Sequence, residues 1–171
     1  MIQLENLSFQ YADREEGVSN INLTIHDGEC VVLIGPSGGG KTTLTRLLNG
    51  LAPAYYPGTL TGSIVLDGQA LMQMPQHAIG RQVGSVFQDP KSQFFSSDLA
   101  GEVAFACENY GFPRDELLTR TDAAIQAFHL TDLGSRSLDV LSSGEKQRVA
   151  IASVYALRPR IYACDEPTAN L

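Results

Sequence analysis

The sequence predicts an α/β fold carrying a helical insertion, and three observations predict it. Apolar and polar residues alternate through IQLENLSFQY (2–11) and INLTIHDG (21–28), the two-residue period of half-buried strands. A continuously apolar run, CVVLI (30–34), then meets a glycine-rich loop and a leucine series at helical spacing. From Ser96 to Leu130 the pattern is helical, before a last apolar strand at Ile161–Cys164. Strands, a helical insertion and a return to a strand make an α/β core with a helical subdomain.

Taken in order, the first two strands read as an exposed-face sheet, and Asp27-Gly28 is a turn signal. CVVLI lacks alternation, as expected of a strand covered on both faces. Leu44, Leu47, Leu48 and Leu51 then lie on one helical stripe. SIVL (63–66) is strand-like and ends in the turn signal Asp67-Gly68. Pro113 suits a first helical turn, and Leu117, Thr121, Ala124, Ile125 and Phe128 mark the buried face of the helix that follows. In LSSGEKQ, Ser142 and Glu145 have capping-box spacing, and the helix they open has to end before Pro159. The expected divisions are 1–90 for the β subdomain and glycine-loop core, 91–140 for the helical subdomain, and 141–171 for the last helix and strand.

Composition bounds the function. The chain of 171 residues is 43% hydrophobic and 18% charged, which fits one globular domain with a full core. A formal charge of -7 leaves no basic footprint for DNA or RNA. No apolar stretch approaches the roughly 20 residues that span a bilayer, and Met1 leads directly into strand-like sequence rather than a leader. Cys30, Cys107 and Cys164 each sit in an apolar run without a C-x-x-C pair, as small core residues of a reduced, cytosolic protein would.

The chemistry begins at Gly35-Pro36-Ser37-Gly38-Gly39-Gly40-Lys41-Thr42, which matches G-x-x-x-x-G-K-[ST], the Walker A pattern. Its glycines let successive backbone N–H groups point inward as an anion nest, and the following helix adds its positive end. Lys41 would reach the outer phosphates of a nucleotide and the Thr42 hydroxyl would bind Mg²⁺. Asp165 and Glu166 then acquire roles at the end of the last strand. Asp165 would supply a hard oxygen ligand to the magnesium, and Glu166 would orient or deprotonate the attacking water.

With these pieces in place the whole chain resembles the ATP-binding cassette (ABC) ATPases. LSSGEKQR (141–148) looks like that family's signature motif, ACDEPTANL (163–171) like its Walker B and the start of its D-loop, and VFQDP (86–90) like its Q-loop. The resemblance implies a P-loop NTPase with a RecA-like core, an N-terminal antiparallel β subdomain and an inserted helical subdomain. It implies ATP and Mg²⁺ as cofactors, with Gln88 sensing the metal and the attacking water. Thr43 joins the ATP-binding residues, and Tyr11 falls where the family places an aromatic against adenine; a core or edge-strand tyrosine is the other reading of that residue.

NGLAPAYYPGTLTGSIVLDG (49–68) and DPKSQFFSSDLAGEVAFACENYGFP (89–113) look like segments of energy-coupling factor (ECF) transporter ATPases, the vitamin and cobalt/nickel importers. That resemblance implies a second ABC ATPase domain whose ATP is met by Leu141, Ser142, Ser143, Gly144 and Glu145. It also implies a transmembrane coupling subunit, a substrate-binding membrane subunit, and a peripheral place on the cytoplasmic face of a prokaryotic cell membrane, with no nucleic acid. Gln93, Phe94 and Phe95 are either exposed docking groups for the membrane subunit or packing of the helical subdomain. Ser143 and Glu145 depart from the signature's usual paired glycines, which become Ser143-Gly144, and from its glutamine. The family's switch histidine follows Walker B on the next strand, so the expected reading is a longer ATPase whose C-terminal strands lie beyond Leu171. A soluble ABC ATPase of DNA repair or translation, and a nucleotide-binding module without turnover, are the competing functions.

Overall fold

The structure is a computed structural model and describes residues 1–134 and 136–168. The chain divides into two compact units, Met1–Val83 and Gly84–Leu171.

The first unit is built on an antiparallel sheet of four strands in the order β2-β1-β3-β4. They are β1 (Ile2–Tyr11), β2 (Gly17–Ile25), β3 (Gly58–Leu66) and β4 (Gln69–Ala70). In β1 the buried set changes parity, from Ile2 and Leu4 to Leu7, Phe9 and Tyr11. An irregularity between Leu4 and Leu7 makes the switch, with Asn6 in the left-handed region at φ 47°. One extra residue returns the apolar side chains to the same face. On the neighbouring strand Gly62 has φ 80°, and a Cβ there would run into the Glu5 and Asn6 carbonyl oxygens. Only glycine fits that place.

Three helices complete this unit: α1 (Lys41–Leu48), the single turn α2 (Leu51–Ala54) and α3 (Gln76–Gln82). The leucine stripe predicted for the first of these buries Leu44, Leu47 and Leu48. One expectation is overturned here. Residues 30–34 form no strand and join neither sheet, and Val32 and Ile34 are 73% and 92% exposed. A run covered on both faces needs ladder partners on both sides, and among the described residues no strand pairs with it.

The second unit opens with β5 (Val83–Val86), which pairs with β6 (Ile161–Cys164) in a two-stranded sheet. Between them lie α4 (Leu99–Asn109), α5 (Arg114–Ala127) and α6 (Ser143–Leu157). Their shared core holds Leu99, Val103, Ala124, Leu130, Val149 and Ala152, with Leu117, Ile125 and Phe128 packed against it. The face predicted for 117–128 is therefore the one that packs. Pro113 lies just outside its helix, as the residue before Arg114. Ile161–Cys164 is less buried than its apolar sequence suggested, because β5 is its only described neighbour; Tyr162 and Cys164 are exposed. Of the three cysteines only Cys107 is buried, so the expectation that all three pack in the core holds for one. No helix of the described residues is long and apolar enough to cross a membrane.

Gln147 is fully buried on α6, and among the described residues neither its amide nitrogen nor its oxygen has a hydrogen-bond partner. Burying an unpaired amide costs about 1–3 kcal/mol. Gln147→Met, nearly the same shape without the polar atoms, is therefore expected to raise unfolding stability by about 1 kcal/mol or more in urea titrations. A loss of stability would mean that the amide is partnered after all.

Candidate nucleotide site

The first unit carries the glycine-rich loop. Gly38 and Gly40 take positive φ values of 78° and 82°, and Gly39 N donates to the Pro36 carbonyl at 3.1 Å, so the loop turns back on itself. Lys41 closes it: Nζ donates to the Gly35 and Pro36 carbonyls at 3.0 and 2.9 Å. Gly40 presses on β2, where a Cβ would come within 2.6 Å of Val18 Cγ1. The first turn of α1 carries no acidic residue, which leaves its positive end uncompensated. Gly35 to Gly39 are exposed, Thr42 is half-buried and Thr43 is buried. Backbone donors, a lysine and a helix N-terminus thus converge on one exposed loop, a ready anion site.

Tyr11 is placed differently from an open stacking platform. It is only 5% exposed, its hydroxyl donates to Thr43 Oγ1 at 3.2 Å, and Arg46 Nη1 donates to that hydroxyl at 3.1 Å. The Arg14 guanidinium lies over its ring, 4.0 Å from the centroid. Neither arginine was singled out from the sequence, since Arg46 is distant in the chain and the Arg14 contact across a short turn follows no spacing rule.

The second unit carries the acidic pair Asp165 and Glu166. Asp165 N donates to the Val86 carbonyl at 2.9 Å, extending the strand pairing one residue past β6. The chain ends beyond the two paired strands are thereby held side by side, and Gln88 Nε2 donates to Glu166 Oε2 at 3.0 Å. Glu166 has φ 49°, a strained conformation for a residue with a side chain. Asp165 is half-buried and Glu166 exposed. The Thr42 hydroxyl, the Gln88 amide oxygen and the Asp165 carboxylate are hard oxygen donors of the kind Mg²⁺ takes. Among the described residues no three His, Cys, Asp or Glu side chains are grouped to hold a metal. His26, His77 and His129 are exposed.

The capping box read from the sequence is present. Glu145 N donates to Ser142 Oγ at 3.3 Å, while Ser142 N and Oγ both donate to Glu145 Oε2 at 2.7 Å. Glu145, the departure noted in the sequence, closes the box. Leu141 is buried, Ser143 exposed and Gly144 half-buried. The Ser142 hydroxyl and then its N–H hold the Glu145 carboxyl below its ordinary value of 4.5. A depressed carboxyl stabilises the fold above its unfolded pKa, and that contribution is lost as pH falls through the folded pKa. Ser142→Ala is therefore expected to lower stability at neutral pH, by a gap that narrows as acid protonates Glu145 in urea unfolding. A pH-independent gap would remove Glu145 from the cap.

Gln93, Phe94 and Phe95 separate. The Gln93 amide oxygen accepts from Phe87 N at 3.2 Å, and Phe94 packs against the helical core. Phe95 alone faces outward, 74% exposed and stacked on Phe105 with centroids 4.6 Å apart. Sequence reasoning missed Glu102, 2% exposed, whose carboxylate accepts from Phe95 N and Ser96 N at 2.8 Å each. A lone acid between Leu99 and Val103 on an apolar helix face was the available signal.

Against known proteins, the family model for ABC transporters matches residues 18–169. The chain belongs to the ABC transporter family. The energy-coupling factor transporter ATP-binding protein EcfA1 of Ligilactobacillus salivarius is 40% identical over 172 residues, covering 100% of this chain and 59% of that protein. Among solved structures, CbiO1 of Clostridium perfringens, part of the ABC transporter complex CbiONQ, gives a TM-score of 0.85 at 32% identity, over 99% of this chain and 66% of that one. The ATP-binding cassette MJ0796, in a dimeric post-hydrolysis state bound to ADP and Pi, gives 0.84 at 26% identity, over 100% of this chain and 76% of that one. The fold is accordingly that of an ABC ATPase, a P-loop NTPase with an antiparallel β subdomain and added helices. This chain spans 35% of the length of some curated relatives and 61% of others.

Proposed function

We propose that this ABC chain binds and hydrolyses MgATP as part of an ECF-type importer of a vitamin or transition-metal ion. Support for hydrolysis comes above all from the Gln88–Glu166 contact at 3.0 Å, which sets an amide against a carboxylate beyond a strand pair. Lys41 releases the Gly35 and Pro36 carbonyls and turns its ammonium to the β- and γ-phosphates, while backbone N–H groups within Ser37–Thr43 hold their oxygens. Thr42, Asp165 and Gln88 would hold Mg²⁺, which when bound neutralises charge on the phosphates. Glu166 accepts a proton from the water that attacks the γ-phosphorus, Gln88 orients that water, and the bond from the γ-phosphorus to the β-phosphate oxygen breaks to release ADP.

ECF-type transport is supported by the likeness to EcfA1 and to CbiO1. On this reading a second ATPase domain offers its own Leu141–Glu145 segment, or a related one, to the ATP held here, and the chain sits peripherally at the cytoplasmic face of a prokaryotic membrane. Phe95, exposed and propped by Phe105, is the docking group for a transmembrane coupling subunit, which in turn joins a substrate-binding membrane subunit. Affinity purification of the full-length protein from detergent-solubilised membranes tests this. Recovery of small hydrophobic membrane proteins supports an importer; recovery of RNA or DNA with none would favour a soluble machine instead.

A further inference from the structure

We propose that Arg14 sets how strongly the site holds a nucleobase, by occupying the face of Tyr11 that a base would use. The inference deepens the proposal of a bound MgATP and rests on it, taking of the two readings of Tyr11 the one in which its ring stacks on the base.

Tyr11 is tied directly to the phosphate-binding turn, since its hydroxyl donates to Thr43 Oγ1 at 3.2 Å, one residue beyond Thr42. A nucleotide held by Gly35–Thr42 therefore has an aromatic ring anchored at the same helix turn. That ring offers little free surface. Phe9 meets it edge-on, with centroids 4.9 Å apart at 82°, and Arg14 Cζ lies 4.0 Å from its centroid. Base and guanidinium are both flat groups that seek an aromatic face, the base by stacking and the guanidinium by cation–π attraction. On one face they exclude each other.

The turn holds Arg14 in place. Tyr11 N donates to the Glu16 carbonyl at 3.3 Å, closing the segment 12–16. Within it Arg14 Nη1 lies 3.4 Å from Glu16 Oε2 and Nε lies 3.7 Å from Asp13 Oδ1. The side chain is 41% exposed, so it swings into solvent without unpacking the core. The base thus binds by displacing a guanidinium whose hold is modest and adjustable. Tyr11 supplies the platform, and Arg14 competes for it.

Calorimetric titration of the purified full-length protein with MgATP and with inorganic tripolyphosphate, for parent, Arg14→Ala, Arg14→Lys and Tyr11→Ala, tests the proposal. Arg14→Ala is expected to tighten MgATP by about two- to fivefold and to leave tripolyphosphate unchanged. Arg14→Lys, which keeps the charge but not the flat group, falls between parent and Arg14→Ala. It serves as the readout should Arg14→Ala fold poorly. Tyr11→Ala is expected to weaken MgATP alone. Unchanged or weaker MgATP binding by the Arg14 variants, with Tyr11→Ala still weakening it, overturns the competition and leaves the stacking assignment standing. Equal MgATP affinity in parent and Tyr11→Ala overturns both.

Discussion

Lys41→Ala is expected to weaken MgATP binding by about a hundredfold or more, beyond detection in an ordinary calorimetric titration. The substitution removes the side-chain cation that closes the loop on itself. Nζ is bonded to the Gly35 and Pro36 carbonyls, so the ammonium is held over the segment where phosphates would sit. Charge-assisted hydrogen bonds to phosphate are among the stronger polar contacts a protein makes. The lysine is half-exposed, so its loss is expected to cost little folding stability, and a circular-dichroism melt separates the two effects. Micromolar affinity retained by a folded Lys41→Ala protein would take Lys41 out of the site.

Glu166→Gln is expected to keep MgATP affinity near that of the parent while slowing hydrolysis by about 10²–10⁴-fold, measured in the full-length protein. An amide preserves the size of the side chain and still accepts from Gln88 Nε2, the contact seen at 3.0 Å. What it loses is the capacity to take a proton from water at neutral pH. Protein carrying this change is expected to accumulate ATP-bound dimers, seen as a larger species by light scattering in MgATP. Turnover near the parent rate would mean that another group is the base.

How far the sequence revealed this molecule depended on how local each feature is. The capping box of Ser142 and Glu145 was legible because a helix start is decided within four residues. The packed face of 117–128 was legible because periodicity reports one helix against one core. The parity change in β1 was not read, although IQLENLSFQY contains it, since only Asn6 at positive φ reconciles Leu4 and Leu7 on one face. Residues 30–34 show the limit from the other side. Their composition announces a central strand, but a strand exists only through its neighbours, and none of the described strands supplies them.

The site divides in the same way. The glycine loop and Lys41 were legible as a contiguous motif. Glu166 was named from its place after an apolar strand in a chain with a Walker A loop, and Gln88 through the family resemblance, but their approach follows from the β5–β6 pairing that Asp165 N extends to Val86. The Arg14 guanidinium over Tyr11 was invisible in sequence, because a cation–π contact across a short turn follows no spacing rule. Glu102 was within reach of sequence reasoning: a carboxylate on the apolar face of a helix has to find donors, and it finds Phe95 N and Ser96 N.

The central claim is that nucleotide phosphates are held by the loop from Gly35 to Thr43. Hydrogen–deuterium exchange of the full-length protein with and without MgATP, read at peptides covering 35–43, tests it most directly. Backbone N–H groups that donate to phosphate oxygens exchange slowly, so exchange across this segment is expected to slow with MgATP and with inorganic tripolyphosphate alike. The same ligands are expected to give Lys41→Ala no protection there. Saturating MgATP that protects other segments while 35–43 exchanges as in the free protein would contradict the account.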